Sequence, residues 1–429
     1  MIKLGKYEIQ RVLGQGATST VYLGFDPFGQ REVAIKVASP SVFSDIENRK
    51  RYTHLFINEA SLAGKLIHPH ITQIYDAVVE DDRAYIVMEY IPGGTLEKFT
   101  LPETLLPFEH VVEIIFKCTR ALNYAFQLGV THRDIKPANI LMASEATDCR
   151  DIKISDFGAA ITAGTDRTIV SGIGSPAYMS PEQVRETELD HRTDIYSLGV
   201  VMYQLVTGQL PFIASNNFNM VYQILNLAPT LPSVLRPDLP PSLEETILKA
   251  TAKSRDERYA TWEEFAQDLA ALFRLRAAPD GQRAAFADTE KFNTLRALPF
   301  FELFTDVELW EAVRFSHWES VPPGHSIMSD GEPGDFFCFL ADGELKVSKN
   351  GKTLNILNQG ECFGEMAVIS QHTPTRGADV TAFSHAKIIT ISGEALKRAS
   401  PTCRMRFYEA FLQVLATRLT MANQRLSAF

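Results

Sequence analysis

The chain has 429 residues, room for two or three domains, and carries 42 Lys plus Arg against 52 Asp plus Glu, a formal net charge of −10. An acidic chain without a basic run is poorly built to neutralise a phosphate backbone, so nucleic-acid binding is excluded as the expected role, and an apolar content of 45% excludes wholesale disorder. No apolar stretch reaches the roughly 18–20 residues of a membrane span.

In chain order, β-branched and aromatic runs at 7–13, 20–25, 32–38, 71–79 and 84–90, bounded by Gly, Asp or Pro, predict strands. One amphipathic helix interrupts them at about 47–66, with Leu55, Glu59, Leu62 and Leu66 at helical spacing. Beyond Pro107 the periodicity predicts helices at 108–128, 192–207, 242–252 and 261–275. A strand-rich part followed by a helix-rich part predicts two lobes, about 1–90 and 91–275. Residues 276–290, rich in Ala with Pro, Gly and charge, read as a linker. Over 291–429 there follow a short helix near 305–315, short strands between glycine turns, and helical spacing at 394–425. That alternation predicts a β jelly roll or barrel with flanking helices. Residues 1–10 lack the apolar core of a signal peptide. Five scattered cysteines, Cys118, Cys149, Cys338, Cys362 and Cys403, make no disulfide or zinc framework, and a reducing cytoplasm is the expected setting.

Gly14-Gln15-Gly16-Ala17-Thr18-Ser19 lies between two strand patterns, where glycines let backbone N–H groups approach phosphate oxygens. No helix follows it, which disfavours a dinucleotide fold. Lys36 stands inside the apolar strand Val33-Ala34-Ile35, an expensive place unless the charge is paired, and Glu59 is a candidate partner. Then come Thr131-His132-Arg133-Asp134-Ile135-Lys136-Pro137-Ala138-Asn139, Asp156-Phe157-Gly158 after a short strand, and Ser180-Pro181-Glu182. Each is weak alone; the set in this order and spacing is specific.

Residues 5–275 resemble the eukaryotic-type protein kinases, in their bacterial Ser/Thr branch. The resemblance implies an α+β bilobal kinase fold that binds ATP with Mg2+ or Mn2+ and phosphorylates Ser or Thr of a protein substrate. It implies that Gly14 and Gly16 fold over the phosphates, with Val21, Ala34, Met88, Glu89 and Ile91 lining the nucleotide site. Lys36, positioned by Glu59, would hold the α- and β-phosphates. Asp134 would orient the substrate hydroxyl and accept its proton, Lys136 would neutralise the moving phosphoryl group, and Asn139 and Asp156 would hold the metal. Glu182 and Arg258 match a buried scaffold pair, and Asp194 an aspartate that braces the catalytic loop. Ser175 keeps a hydroxyl where the family usually has threonine. Arg133 before Asp134 implies activation-loop phosphorylation, with Thr165 or Thr168 ahead of Thr162 and Ser171. The chain departs from the family at Ser19, in place of a third glycine, and at Thr95 and Ala138, where arginine-directed kinases carry acids.

Over 291–428, Phe363-Gly364-Glu365-Met366-Ala367-Val368-Ile369 and Pro374-Thr375-Arg376-Gly377-Ala378-Asp379 resemble the phosphate cassette of cyclic-nucleotide-binding domains. The resemblance implies that Gly364, Glu365, Met366, Ala367, Arg376, Gly377 and Ala378 hold cyclic AMP or cyclic GMP. Arg376 would take the cyclic phosphate and Glu365 the ribose 2′-hydroxyl. Asp379 removes one argument for cyclic GMP. Phe407, Tyr408 or Phe411 are candidates for a lid over the base, while His317 and His325 read as structural. The expectation is a cytoplasmic Ser/Thr kinase regulated in cis by the nucleotide, cyclic AMP favoured, with a homodimer left open. The alternatives are an active kinase with a non-binding structural or dimerising C-terminal module, and a non-catalytic nucleotide-binding scaffold. A pseudosubstrate at 282–286 is disfavoured against a spacer.

Overall fold

The computed structural model describes residues 2–16, 19–39, 64–80, 83–144, 151–157, 161–162, 176–274, 288–369 and 375–427. The chain divides into two compact units, Met1–Pro279 and Asp280–Phe429. Expectations resting on Glu59, Gly158, Thr165, Thr168, Ser171, Ser175 and 282–286 fall outside the described residues.

The first unit opens with an antiparallel sheet of β1 (Ile2–Leu4), β2 (Tyr7–Gln15), β3 (Ser19–Asp26), β4 (Arg31–Ala38), β5 (Ile74–Val79) and β6 (Ala84–Glu89), in the order β1-β2-β3-β4-β6-β5. β4 is central, and the period of two splits it cleanly. Val33 and Ile35 are fully buried with Tyr7, Tyr85 and Val87, while Ala34 and Lys36 point to the other face. The expected strand at 71–79 starts only at Ile74, because Ile71 instead bridges to Ile154.

The helical part follows: α1 (Phe108–Gln127), β7 (Val130–Thr131), the hairpin of β8 (Ile140–Met142) and β9 (Ile152–Ile154), β10 (Ile161–Thr162), α2 (Pro181–Val184), α3 (Arg192–Thr207), α4 (Asn217–Asn226), α5 (Pro232–Leu235), α6 (Pro241–Ala250) and α7 (Trp262–Arg274). α3 is buried from Thr193 to Thr207, the mark of a helix surrounded on all sides. It ends at Gly208, whose φ of 74° only glycine adopts freely; a Cβ there would sit 2.5 Å from the Pro102 nitrogen. α4, which the sequence reading did not include, is short and buries only Met220 and Ile224.

In the second unit α8 (Asp288–Ala297) begins inside the segment read as linker. It is followed by α9 (Asp306–Phe315), started by a reciprocal cap between Thr305 and Glu308. Eight strands then form two sheets: β11 (His317–Val321), β12 (Ser326–Met328), β13 (Phe336–Asp342), β14 (Leu345–Lys349), β15 (Lys352–Leu357), β16 (Cys362–Phe363), β17 (Asp379–Ala382) and β18 (Ala386–Ser392). Their orders are β11-β18-β13-β16 and β12-β17-β14-β15, with Cys338, Leu340, Leu345, Phe363, Val380 and Ile388 among the core residues. α10 (Met366–Ile369) interrupts the strands, and α11 (Gly393–Arg398) and α12 (Pro401–Ser427) close the chain. Along β13, Cys338 and Leu340 join that core, so Phe337 and Phe339 face the other way. They meet Phe300, Phe301, Phe407 and Phe411.

Candidate active site and ligand pocket

Strand register assembles one wall of the first site. Val21 pairs with Lys36 and Lys36 with Ile86; Leu23 pairs with Ala34 and Ala34 with Met88. Residues directly opposite share a face, so Val21, Ala34, Lys36 and Met88 lie together on the face turned from the Val33–Ile35 core. The β2–β3 turn closes with the Gly16 N–H donating to the Ser19 carbonyl at 2.8 Å. A Cβ at Gly14 would meet nothing within 4 Å, so no internal contact among the described residues calls for glycine there. Glu89 ends β6; its carboxylate is held by Lys153 at 2.8 Å and its backbone N–H donates to the Gln73 carbonyl at 2.9 Å.

The opposite wall is the loop after β7. Asp194, buried on α3, accepts from the backbone N–H of His132 and of Arg133, each at 2.7 Å. Burial pushes its carboxyl above the ordinary range, against the pull of His132 and the two N–H donors. Arg133 takes a left-handed φ of 68°, a strained state that this grip and the Gln183 amide on its carbonyl (2.9 Å) hold in place. Burial lowers the Arg133 pKa. With the loop so fixed, Lys136 Nζ lies 2.7 Å from Asp134 Oδ2, and the Asn139 amide donates to the Asp134 carbonyl (2.8 Å) and carboxylate (3.1 Å).

The β8–β9 hairpin pairs Ile140 with Ile154, and the Ser155 N–H donates to the Asn139 carbonyl at 2.9 Å. Asn139 and Asp156 are thereby set side by side at the hairpin's end. Asp156, at a φ of 65°, meets Lys36 Nζ at 2.6 Å, which ties the sheet wall to the loop wall. Below them Glu182 takes two bonds from Arg258 at 2.6 and 2.8 Å and one from Thr193 at 2.9 Å. Thr95, where an acid was absent, donates to the Glu97 carboxylate at 3.3 Å. The oxygen donors Asn139 and Asp156 suit a hard divalent cation such as Mg2+. Among the described residues no group of three or more His, Cys, Asp or Glu could hold a metal, and no helix is long and apolar enough to cross a membrane.

The second site is a cavity of about 460 Å³ in the jelly roll, lined among others by Glu365, Arg376, Gly377, Ala378 and Arg418. Gly364 must be glycine: its φ is 79°, and a Cβ would come within 2.5 Å of Met328 and 2.8 Å of Arg376. This close approach lets Arg376 Nη1 donate to the Gly364 carbonyl at 3.0 Å, with the guanidinium 4.3 Å from the Phe336 ring. Arg376 is only 5% exposed, and its Nη2 has no hydrogen-bond partner. Burial lowers its pKa. Glu365 and Arg376 do not pair with each other. Glu365 is held at 2.6 Å by Arg418, whose other nitrogen donates to the Cys362 carbonyl. Met366 stands exposed on the lining, and the Ala367 side chain lies outside what is described.

Three sequence expectations are corrected or completed here. Phe407 and Phe411 are 0% and 1% exposed inside the aromatic cluster, so they are core and not a lid, and Tyr408 does not line the cavity. Asp379 does not line it either; its carboxylate accepts from the Asp330 N–H at 2.9 Å and fixes a turn. Arg418 was missed. The signal was present as a cation in register with Cys403, Phe407 and Phe411 on the inner face of α12.

Comparison with known proteins matches a protein kinase domain to residues 7–271 and a cyclic nucleotide-binding domain to residues 318–400. The chain is similar to the serine/threonine-protein kinase PrkC of Bacillus subtilis, 39% identical over 274 residues, which are 63% of this chain and 41% of that protein. It is also similar to the serine/threonine-protein kinase PknB of Mycolicibacterium smegmatis, 35% identical over 302 residues, 68% of this chain and 47% of the relative. The chain thus spans less than half the length of these two curated relatives.

Proposed function

The chain belongs to the protein kinase family, and from that premise we propose that it transfers the γ-phosphoryl group of ATP to Ser or Thr of a protein, under control of a cyclic nucleotide bound in its C-terminal pocket. The observation that carries the first half is the Asp134 carboxylate with Lys136 at 2.7 Å and the Asn139 amide at 3.1 Å. In this reading Asp134 orients the incoming hydroxyl and accepts its proton, and Lys136 moves from Asp134 to the transferring phosphoryl oxygens. Lys36 holds the α- and β-phosphates under the backbone of Gly14 and Gly16, and Val21, Ala34 and Met88 sandwich the base. Mg2+ held by Asn139 and Asp156 would supply neutralisation of the phosphate charge. The kinase part is taken as 1–275, and the sensor part as running from Asp288 to the end. Incubation with Mg-ATP tests the reading: wild type incorporates phosphate and Asp134→Asn does not, and equal incorporation by both refutes it.

What supports the second half is Arg376 Nη2, a buried donor without an acceptor, beside the Glu365 carboxylate in a cavity of ligand size. The cyclic phosphate supplies the missing acceptor, and Glu365 accepts from the ribose 2′-hydroxyl. Cyclic AMP is the favoured ligand, and binding relieves inhibition of the kinase, which requires tighter binding to the active state. Calorimetry of the full chain with cyclic AMP and cyclic GMP decides. Heat from neither would leave the C-terminal unit a structural module.

A further inference from the structure

Two ion pairs join the sheet of the first unit to the strand that leads into Asp156. One is Lys36 with Asp156 itself at 2.6 Å, inside the cleft. The other is Lys153 with Glu89 at 2.8 Å. Lys153 is the middle residue of β9, between Ile152 and Ile154, which are both 0% exposed. The period of two turns its side chain away from that core, and across the hairpin it pairs with Leu141. Its ammonium meets a carboxylate that is already fixed. Glu89 Oε2 also accepts from the Gln73 N–H at 3.3 Å, and the Glu89 N–H donates to the Gln73 carbonyl at 2.9 Å. The two side chains are 18% and 26% exposed, so the pair is drier than one at the surface and less screened by salt.

What the two pairs hold differs. Glu89 follows Met88 of the base slot, and Lys153 precedes Asp156 by three residues. The Lys153–Glu89 pair therefore joins the strand end beside the base to the strand that delivers Asp156. Backbone bonds set β9 in the same place: the Ile154 N–H donates to the His70 carbonyl and the Thr72 N–H to the Ile154 carbonyl, each at 2.9 Å. In the proposed reading, nucleotide and metal draw Lys36 to phosphate and Asp156 to the cation, so their mutual bond is given up. Lys153 and Glu89 take no part in that exchange, and their bond persists through it.

We propose that Lys153 is a positioning residue for the nucleotide: through Glu89 it keeps the base wall and the metal wall of the cleft aligned while the Lys36–Asp156 bond is exchanged for ATP. This role rests on the kinase reading and deepens it. Without the pair, the aligned arrangement is one of several. A ligand that must touch both walls then binds more weakly, in proportion to the aligned fraction. A ligand that touches the base wall alone does not sense the alignment. Once ATP is seated both walls are in place, and the chemical step proceeds as before.

Steady-state kinetics of the full chain, with adenosine as a competitive inhibitor, test the proposal. In Lys153→Met the KM for Mg-ATP is expected to rise about tenfold, as for an aligned fraction of about a tenth. Its kcat at saturating ATP is expected to stay within about twofold of wild type, the split of lost binding and not of lost transition-state stabilisation. The inhibition constant of adenosine, which reaches the base wall alone, is expected to change by no more than about twofold. Lys153→Arg is expected to restore KM, because a guanidinium also pairs with a carboxylate. Glu89→Gln, which keeps the shape and removes the charge, is expected to raise KM as Lys153→Met does, and the double variant to be no worse than either single one. An unchanged KM in either single variant overturns the proposal. So does adenosine weakened as much as ATP, which marks local damage to the base slot, or a fall in kcat with KM held. Should Lys153→Met fail to fold, Glu89→Gln carries the test alone. A wild type that transfers no phosphate defeats the kinase reading and this role with it, whereas a wild type that turns over beside variants of equal KM defeats this role alone.

Discussion

In the kinase cleft every reactive charge has a partner within the chain: Lys36 lies 2.6 Å from Asp156 and Lys136 2.7 Å from Asp134, and the two carboxylates are 39% and 40% exposed. In the jelly-roll pocket Arg376 is 5% exposed and one of its nitrogens lacks an acceptor. The difference is one of solvent. Wet ion pairs are worth little and exchange partners cheaply, so the cleft can open its lysines to phosphate and its acids to metal. A desolvated donor without an acceptor is costly, and that cost is relieved when an anion arrives. In the proposed reading the cleft is arranged for turnover and the pocket for retention.

The largest expected effect tests the cleft. Asp134→Asn keeps the shape and the Asn139 contacts but removes the proton acceptor, so kcat should fall by about 10²- to 10⁴-fold with the KM for ATP little changed. Steady-state kinetics would contradict this picture if KM rose and kcat held.

Next comes the scaffold that keeps the cleft in register. Burial pushes Glu182 up, but the Arg258 hydrogen bonds and charge outweigh it and hold the carboxyl below its ordinary 4.5. A depressed folded-state value means that the pair's stabilisation is complete above about pH 4.5 and fades as pH falls through the folded value. Glu182→Gln leaves Arg258 buried without its counter-charge and should cost about 3–5 kcal/mol at neutral pH. Denaturant unfolding should also show a shallower loss of stability than in wild type as pH falls below about 4.5. Parallel pH profiles of the two proteins would remove the ion pair from the account.

On the pocket side, Arg376→Ala should weaken cyclic-nucleotide binding about 10- to 150-fold, the range of a lost charge-assisted hydrogen bond. Arg376→Met should lose as much binding while leaving ligand-free stability no worse, because an unfilled donor is removed. If thermal unfolding showed a large drop for Arg376→Met without ligand, the guanidinium would be structural and the contrast with the cleft would fail. The smallest effect is expected at Arg418, which is half-exposed. Arg418→Ala should lower affinity by no more than about fivefold, by loosening the grip that positions the Glu365 carboxylate. A loss as large as that of Arg376→Ala in the same titration would make Arg418 a ligand contact.

Much of the cleft was legible before any fold was known, because its groups are close in the chain. Asp134, Lys136 and Asn139 span six residues of one loop, so their motif carries their geometry. Lys36 and Asp156 lie 120 residues apart, yet each sits in its own recognisable segment. The pocket was legible at Gly364, Glu365, Met366, Arg376, Gly377 and Ala378, where a short cassette sets the backbone, and not at Arg418.

Periodicity and turn chemistry, which act over a few residues, determined from the sequence alone the strand-rich and helix-rich parts and the helices α1, α3, α6 and α7, while the members of the catalytic loop were what the family resemblance implied. Only the tertiary structure decided that Glu365 answers to Arg418, 53 residues away, and that Asp379 ties down a turn. It also decided that Phe407 and Phe411 fill a core while Leu412 and Leu419 stand outside it. Helical periodicity tells which side chains share a face. What that face meets depends on packing between elements distant in the chain.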